Sequence, residues 1–148
     1  MIPREEVVSK IKKYFEENAG KNAVELAFLY GSSARGQAKE KSDVDIAIVL
    51  KSDFDSDDKV FDLIAGITVE LSALLGREVE IIPIRKDFGK PALYYNAIVL
   101  GRPVFIGNKN RYIQIYNQAL FEMNDFELFG LGWQFKASGA ILGRLSHG

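Results

Sequence analysis

The chain is expected to fold as an α+β domain, a small mixed β-sheet covered by helices. Three observations predict this. Three long segments place apolar residues at helical spacing. Several short runs rich in Val, Ile and aromatics are bounded by Gly or polar clusters, as strands are. Their order, helix-strand-strand-helix-strand-helix-helix, is a mixed pattern without internal repeat, which suggests a small sheet covered by helices. At 148 residues the chain is one domain in size, and a domain of that length buries roughly 68 to 70% of its unfolded surface.

Taken in order, Val7, Val8, Ile11, Tyr14 and Phe15 define an amphipathic first helix from Arg4 to Asn18, with Gly20 as its expected stop. "VELAFLYG" reads as a strand ending at Gly31, and "DVDIAIVL" as a second strand after a polar connector. "DSDDKV" supplies acids for the start of a long helix with Val60, Phe61, Ile64, Ile67, Leu71, Leu74 and Leu75 along one side and Gly76 as terminator. "EVEIIPI" is a third strand, "KPALYYNAIVLG" a shorter helix and "PVFI" a brief extended piece. Residues 111–129 form a further long helix rich in Tyr and Phe. The last stretch, "GLGWQFKASGAILGRLSHG", has five glycines and no sustained period, so it is expected to be mobile or to order only against a partner. The domain is accordingly drawn as 1–130 and the tail as 131–148.

Composition excludes several classes. With 47% hydrophobic and 26% charged residues and a formal net charge of −1, the chain offers no electrostatic reason to bind nucleic acid or a membrane surface. The absence of cysteine rules out disulfides and thiolate metal sites. The amino terminus carries acids where a signal peptide would be basic and then apolar, and no apolar run approaches the ~18 residues of a membrane span, so a cytoplasmic protein is expected.

Two motifs fail on inspection. Gly31 and Gly36 have the spacing of a P-loop, but Gln37 and Ala38 stand where the lysine and hydroxyl are required. "DFDSDD" starts like a calcium loop, yet Asp58 takes the glycine position and Ile64 that of the bidentate glutamate, leaving a solvated loop and helix cap. His147, the only histidine, is next to the last residue and makes a poor centre for a triad or zinc site.

The stretch "LYGSSARGQAKEKSDVDIAIVL" survives the same scrutiny. Strand alternation points Asp43 and Asp45 the same way, opposite to Val44, Ile46 and Ile48. Paired carboxylates repel unless a cation lies between them, and Mg²⁺, a hard ion held by a few carboxylates plus substrate phosphates, suits them. An isolated DxD is equally well read as a turn cap beside an exposed acid. Gly31-Ser32 at the end of the preceding strand shifts the balance: glycine lets the backbone approach a phosphate, Ser32 and the turn amides can donate to it, and Arg35 adds a charge suited to bidentate contact. Together these describe a site for a nucleoside triphosphate and its metals.

Gly31, Ser32, Asp43 and Asp45, a Gly-Ser pair followed by ten residues and then DxD, resemble the signature of the DNA polymerase β-like nucleotidyltransferase superfamily. The short chain is most similar to its minimal nucleotidyltransferases, and "YYNAIVLGRPVFIG" resembles the segment those proteins carry after the third core strand. The resemblance implies the polymerase β-like palm fold and transfer of AMP from ATP to a hydroxyl by a two-metal mechanism. It implies catalytic and metal-binding roles for Asp43 and Asp45 with two Mg²⁺ ions, and phosphate binding by Gly31, Ser32 and Arg35. The family's third carboxylate, usually aspartate, maps onto Glu80, a departure from the pattern. Minimal members resemble the antitoxins of two-gene modules whose partner is a HEPN-type ribonuclease toxin, silenced by adenylylation of a tyrosine. The implied function is therefore a protein adenylyltransferase acting as an antitoxin. Two alternatives remain: a nucleotide-binding module that sequesters its partner, with the aromatic helix (Tyr112, Tyr116, Phe121, Phe126, Phe129) and Trp133 as the surface, or an aminoglycoside-type nucleotidyltransferase, for which there is little room after Met123. Aromatics at helical spacing more often face their own core.

Overall fold

The structure is a computed structural model in which residues 4–31, 44–51 and 57–138 are described, with side chains for all of these except 4, 22 and 126–138. The elements are α1 (Arg4–Asn22), β1 (Val24–Tyr30), β2 (Val44–Leu50), α2 (Asp57–Leu75), β3 (Val79–Pro83), α3 (Pro91–Ile98), β4 (Arg102–Ile106) and α4 (Lys109–Ser138). The four strands form one sheet in the order β3-β2-β1-β4. β1 is antiparallel to β2 and β4, whereas β2 and β3 are parallel. Parallel neighbours need a crossover, and α2 supplies it.

Helices cover both faces of the sheet because both faces are apolar. On one side Val7, Val8, Ile11 and Phe15 of α1 and Ile67, Leu71 and Leu75 of α2 share a core with Ala27, Leu29, Val44, Ile46, Ile48 and Ile81 of the strands. On the other, Tyr94, Ala97 and Ile98 of α3 and Ile115 and Ala119 of α4 close over Leu26, Phe28, Tyr30, Ala47 and Val49. Phe15 is fully buried and stacks on Phe105 at 6.2 Å between centroids. Across the helix pair, the Tyr14 hydroxyl donates to Glu70 Oε1, and Lys21 Nζ lies 3.5 Å from Glu70 Oε2. The Tyr14 hydrogen bond first, and Lys21 after it, hold the Glu70 carboxyl below its ordinary pKa.

Several expected boundaries shift. α1 runs through Gly20, where an added Cβ would meet nothing within 4 Å, so that glycine sits at an unremarkable helical position. The chain turns instead at Ala23, with φ 56°; its carbonyl accepts a 2.8 Å bond from the Lys51 N–H, which fixes where β1 must begin. Gly76 ends α2 as expected, at φ 64° and with its N–H on the Ser72 carbonyl.

Of the residues expected along the buried side of α2, Phe61 (70% exposed) and Leu74 (42% exposed) face outward. Phe61 stands about 100° around the helix from Val60, and Leu74 borders an open groove between α1 and α2. Asn108 caps α4, its Oδ1 accepting the Arg111 N–H at 3.0 Å. The backbone of α4 then continues past the expected end at 129, through Gly130 and Gly132, to Ser138. Each helical glycine costs about 1 kcal/mol relative to alanine but does not forbid a helix. No helix among the described residues is long and apolar enough to cross a membrane.

Candidate active site

β1 ends and β2 begins at the same edge of the sheet, and there the register places three polar side chains in one row. Tyr30 pairs with Asp45 across the antiparallel β1-β2 ladder, and Asp45 pairs with Glu80 across the parallel β2-β3 ladder. Direct register partners share a face, and this is the face of Ala47 and Val49, covered by α3 and α4. Val44, Ile46 and Ile48 lie in the opposite core. The alternation read from "DVDIAIVL" is thus the one the sheet adopts for Asp45. Val79 and Ile81 flank Glu80 as buried residues while Glu80 itself is exposed, so its side chain is accessible to a substrate.

Gly31 follows Tyr30 with φ 76°, in the left-handed region. A Cβ there would stand 2.8 Å from Asp45 Oδ2, closer than any side-chain carbon tolerates. The glycine at this turn therefore serves two needs, reversal of the chain and room for the Asp45 carboxylate. Ser32, Arg35 and Asp43 lie outside the described residues, as do residues 53–56 of the rejected calcium loop and His147.

The row is electrostatically tense. The Tyr30 phenol is pushed up to about 12, by burial first, then by the charges of Asp45 and Glu80. Both carboxylates thus project negative potential onto the same phenol, the environment in which a hard divalent cation is stabilised. Among the described residues no group of three or more His, Cys, Asp or Glu converges on one point. Asp45 and Glu80 are adjacent oxygen donors of the type Mg²⁺ prefers, and with Asp43 two positions along from Asp45 the donor chemistry fits that ion. Tyr30 is the member that sequence reasoning missed. It directly precedes Gly31, but its proximity to Glu80 depends on strand order, which no local pattern encodes.

Beside the row, a recess of about 430 Å³ opens between β3 and α3, lined by Ile82, Pro83, Arg85, Lys90, Leu93 and Tyr94 among others. Ile82 is the next residue after Glu80 on the same face of β3. The Tyr94 hydroxyl fixes the recess by accepting the Arg85 N–H at 3.2 Å and donating to the Pro83 carbonyl at 3.4 Å. Arg85 is tied to Asp57 Oδ1 in the first turn of α2 at 2.9 Å. The volume is within the range of small-ligand pockets.

Residues 9–110, more than half of the chain, match the family model described as polymerase beta, nucleotidyltransferase. The chain belongs to the polymerase β nucleotidyltransferase family. Its fold is shared with solved structures of much lower sequence similarity. A chain from a toxin-antitoxin structure with AMP-PNP superposes with a TM-score of 0.67 at 17% identity, covering 88% of this chain and 98% of that one. A chain from the MntA-HepT toxin-antitoxin gives 0.60 at 16% identity, covering 89% and 97%. One from tri-AMPylated Shewanella oneidensis HEPN toxin in complex with MNT antitoxin gives 0.64 at 15% identity, covering 92% and 99%. At such identities these likenesses establish the fold alone. No curated protein matches the sequence significantly.

Proposed function

We propose that the protein transfers AMP from ATP to a hydroxyl of a protein partner, a HEPN-type toxin, and acts in the cytoplasm as that toxin's antitoxin. The observation that carries this reading is the row Asp45-Glu80 beside Gly31, where a side chain would displace the Asp45 carboxylate. Family membership supplies the reaction class. The toxin-antitoxin structures sharing the fold, one with AMP-PNP and one with an AMPylated toxin, support the nucleotide and the acceptor.

In the proposed reaction the acceptor oxygen attacks the α-phosphorus of ATP, the bond from that phosphorus to the bridging oxygen breaks, and pyrophosphate leaves. Such transfers need positioning and charge neutralisation more than covalent help from the protein. Gly31 lets the turn approach the triphosphate, with Ser32 and Arg35 as donors to its oxygens. Asp43 and Asp45 would hold two Mg²⁺ ions, and Glu80 would complete one site. When bound, Mg²⁺ supplies the positive charge that offsets phosphates and carboxylates alike. Glu80 would accept the proton of the incoming hydroxyl, a role supported by its exposure and its register opposite Asp45.

The test is transfer of label to the purified partner from ATP labelled on the α-phosphate, with no transfer from ATP labelled on the γ-phosphate. Incorporation of the γ-label instead would show phosphorylation and refute the reading. The sequestration alternative draws some support from Phe121, 68% exposed on α4. Tyr112 and Tyr116 of the same helix pack against the domain's own core.

A further inference from the structure

α2 carries a face that the domain does not cover. Phe61 is 70% exposed and Val69 is 69% exposed, and Ala65, Gly66 and Ala73 are exposed as well. Phe61, Ala65, Val69 and Ala73 follow one another at a spacing of four, so they form one continuous apolar ridge along the helix. Gly66 stands beside the middle of this ridge with helical backbone, and an added Cβ there would meet nothing within 4 Å. No contact inside the domain therefore requires a glycine at 66. A glycine inside a helix costs about 1 kcal/mol relative to alanine, and what it offers in return is room for another backbone to approach.

The ridge alternates large and small side chains in a way that fits a second copy of itself. A two-fold axis midway between Ala65 and Val69 sets Phe61 of one chain against Ala73 of the other, and Ala65 against Val69. Every large side chain then meets a small one, which is the self-complementarity an isologous contact needs. The ends of the helix match in charge under the same axis. α2 opens with Asp57 and Asp58, and Arg77 follows two residues after its last residue, Leu75. Asp57 already holds Arg85 at 2.9 Å, which leaves Asp58 to meet Arg77 of the other chain. Arg77 is in no ion pair among the described residues. Glu70, which comes near Asp62 of the other chain, is offset by its own Lys21 at 3.5 Å. Antiparallel pairing also opposes the two helix dipoles. Parallel pairing would instead set Phe61 on Phe61 and acids on acids.

We propose that the exposed face of α2 is a homodimerisation surface on which two copies of this chain pack antiparallel, with ridges in grooves at about −50°. A helix of 19 residues is about 28 Å long, and one such pair buries less surface than a permanent dimer does. Monomer and dimer therefore exchange with concentration. α1 and α2 cover the sheet face opposite to the one that carries Tyr30, Asp45 and Glu80, so the row stays open in both copies. The inference does not depend on the AMP-transfer reading.

The test is sedimentation equilibrium of the full chain, alone, over a rising range of concentration. The mean mass should climb from one chain towards two and no further, because an isologous contact closes on itself. Val69→Lys, at an exposed position, should leave the circular dichroism spectrum unchanged and weaken association at least tenfold, since it brings two like charges together near the axis. Orientation can be read by cross-linking because the chain has no cysteine. When Phe61→Cys and Ala73→Cys chains are mixed under oxidation, the mixed disulfide should form faster than either self-linked pair. A chain that stays monomeric at every concentration would overturn the proposal. So would a dimer that Val69→Lys leaves intact, or faster self-linking of the Phe61→Cys chain, which would show parallel packing. A wild type without self-association whose Val69→Lys variant no longer binds the HEPN-type partner would give the face to that partner, and would overturn the proposal equally.

Discussion

A Cβ placed on Gly31 would stand 2.8 Å from Asp45 Oδ2. The turn that closes β1 and the carboxylate that opens β2 thus occupy one another's space, and the sequence resolves this by leaving position 31 without a side chain. Gly31→Ala is expected to lose on two counts. An L-residue at φ 76° costs about 1–2 kcal/mol of stability, and displacement of Asp45 by even 1 Å is expected to lower transfer about 10²-fold. Circular dichroism should still show the fold, while single-turnover transfer should be lost. Undiminished transfer would mean that Asp45 does not need the position it holds.

The alternation of "DVDIAIVL" and the terminator Gly76 were legible because both are local properties of the chain. The pairing of Tyr30 with Asp45 and of Asp45 with Glu80 was not, because strand order is a tertiary fact. Family likeness singled out Glu80, and the fold then showed what stands beside it. The end of α1 was misplaced for a related reason. Gly20 looks like a stop, yet the Lys51-Ala23 bond that sets the turn comes from a strand edge far along the chain.

Glu80 sits directly across from Asp45, and like charges opposite one another destabilise a sheet. Glu80→Gln should therefore raise the thermal stability of the metal-free protein slightly while lowering the transfer rate by at least the ~10² expected for loss of a general base. Triphosphate affinity should change much less. Glu80→Asp should retain more activity than Glu80→Gln. If Glu80→Gln transfers at the wild-type rate, Glu80 is an exposed strand residue and no more.

Tyr30 makes the row sensitive to alkali. Its folded-state pKa of about 12 lies above the ordinary 10.0, so the folded protein holds a proton that the unfolded chain releases first. The stability this contributes, on the order of 2 kcal/mol, is fully present below pH 10 and is lost as pH rises toward 12. The phenolate absorbance difference between wild type and Tyr30→Phe should appear only near the upper value in metal-free protein. Asp45→Asn should bring it down. A Tyr30 signal at the ordinary value would show that the phenol is neither buried nor faced by the two carboxylates.

Ala23 adopts φ 56° without being glycine, a conformation that costs an L-residue about 1–2 kcal/mol. Ala23→Gly should relieve part of this and raise unfolding stability by up to about 1 kcal/mol, read as a higher denaturant midpoint at unchanged slope. Transfer activity should be unaffected, since the turn lies at the far end of β1 from Tyr30.

On the proposed function, this protein silences its partner by covalent AMP transfer and not by occupancy. Intact-mass spectrometry of the HEPN-type partner, after incubation with ATP, Mg²⁺ and either wild-type protein or Asp45→Asn, tests it most directly. The expected result is a gain of one or more adenylyl units with the wild type, none with Asp45→Asn, and loss of the partner's ribonuclease activity only where mass is gained. A partner of unchanged mass that is nevertheless fully inhibited would contradict it.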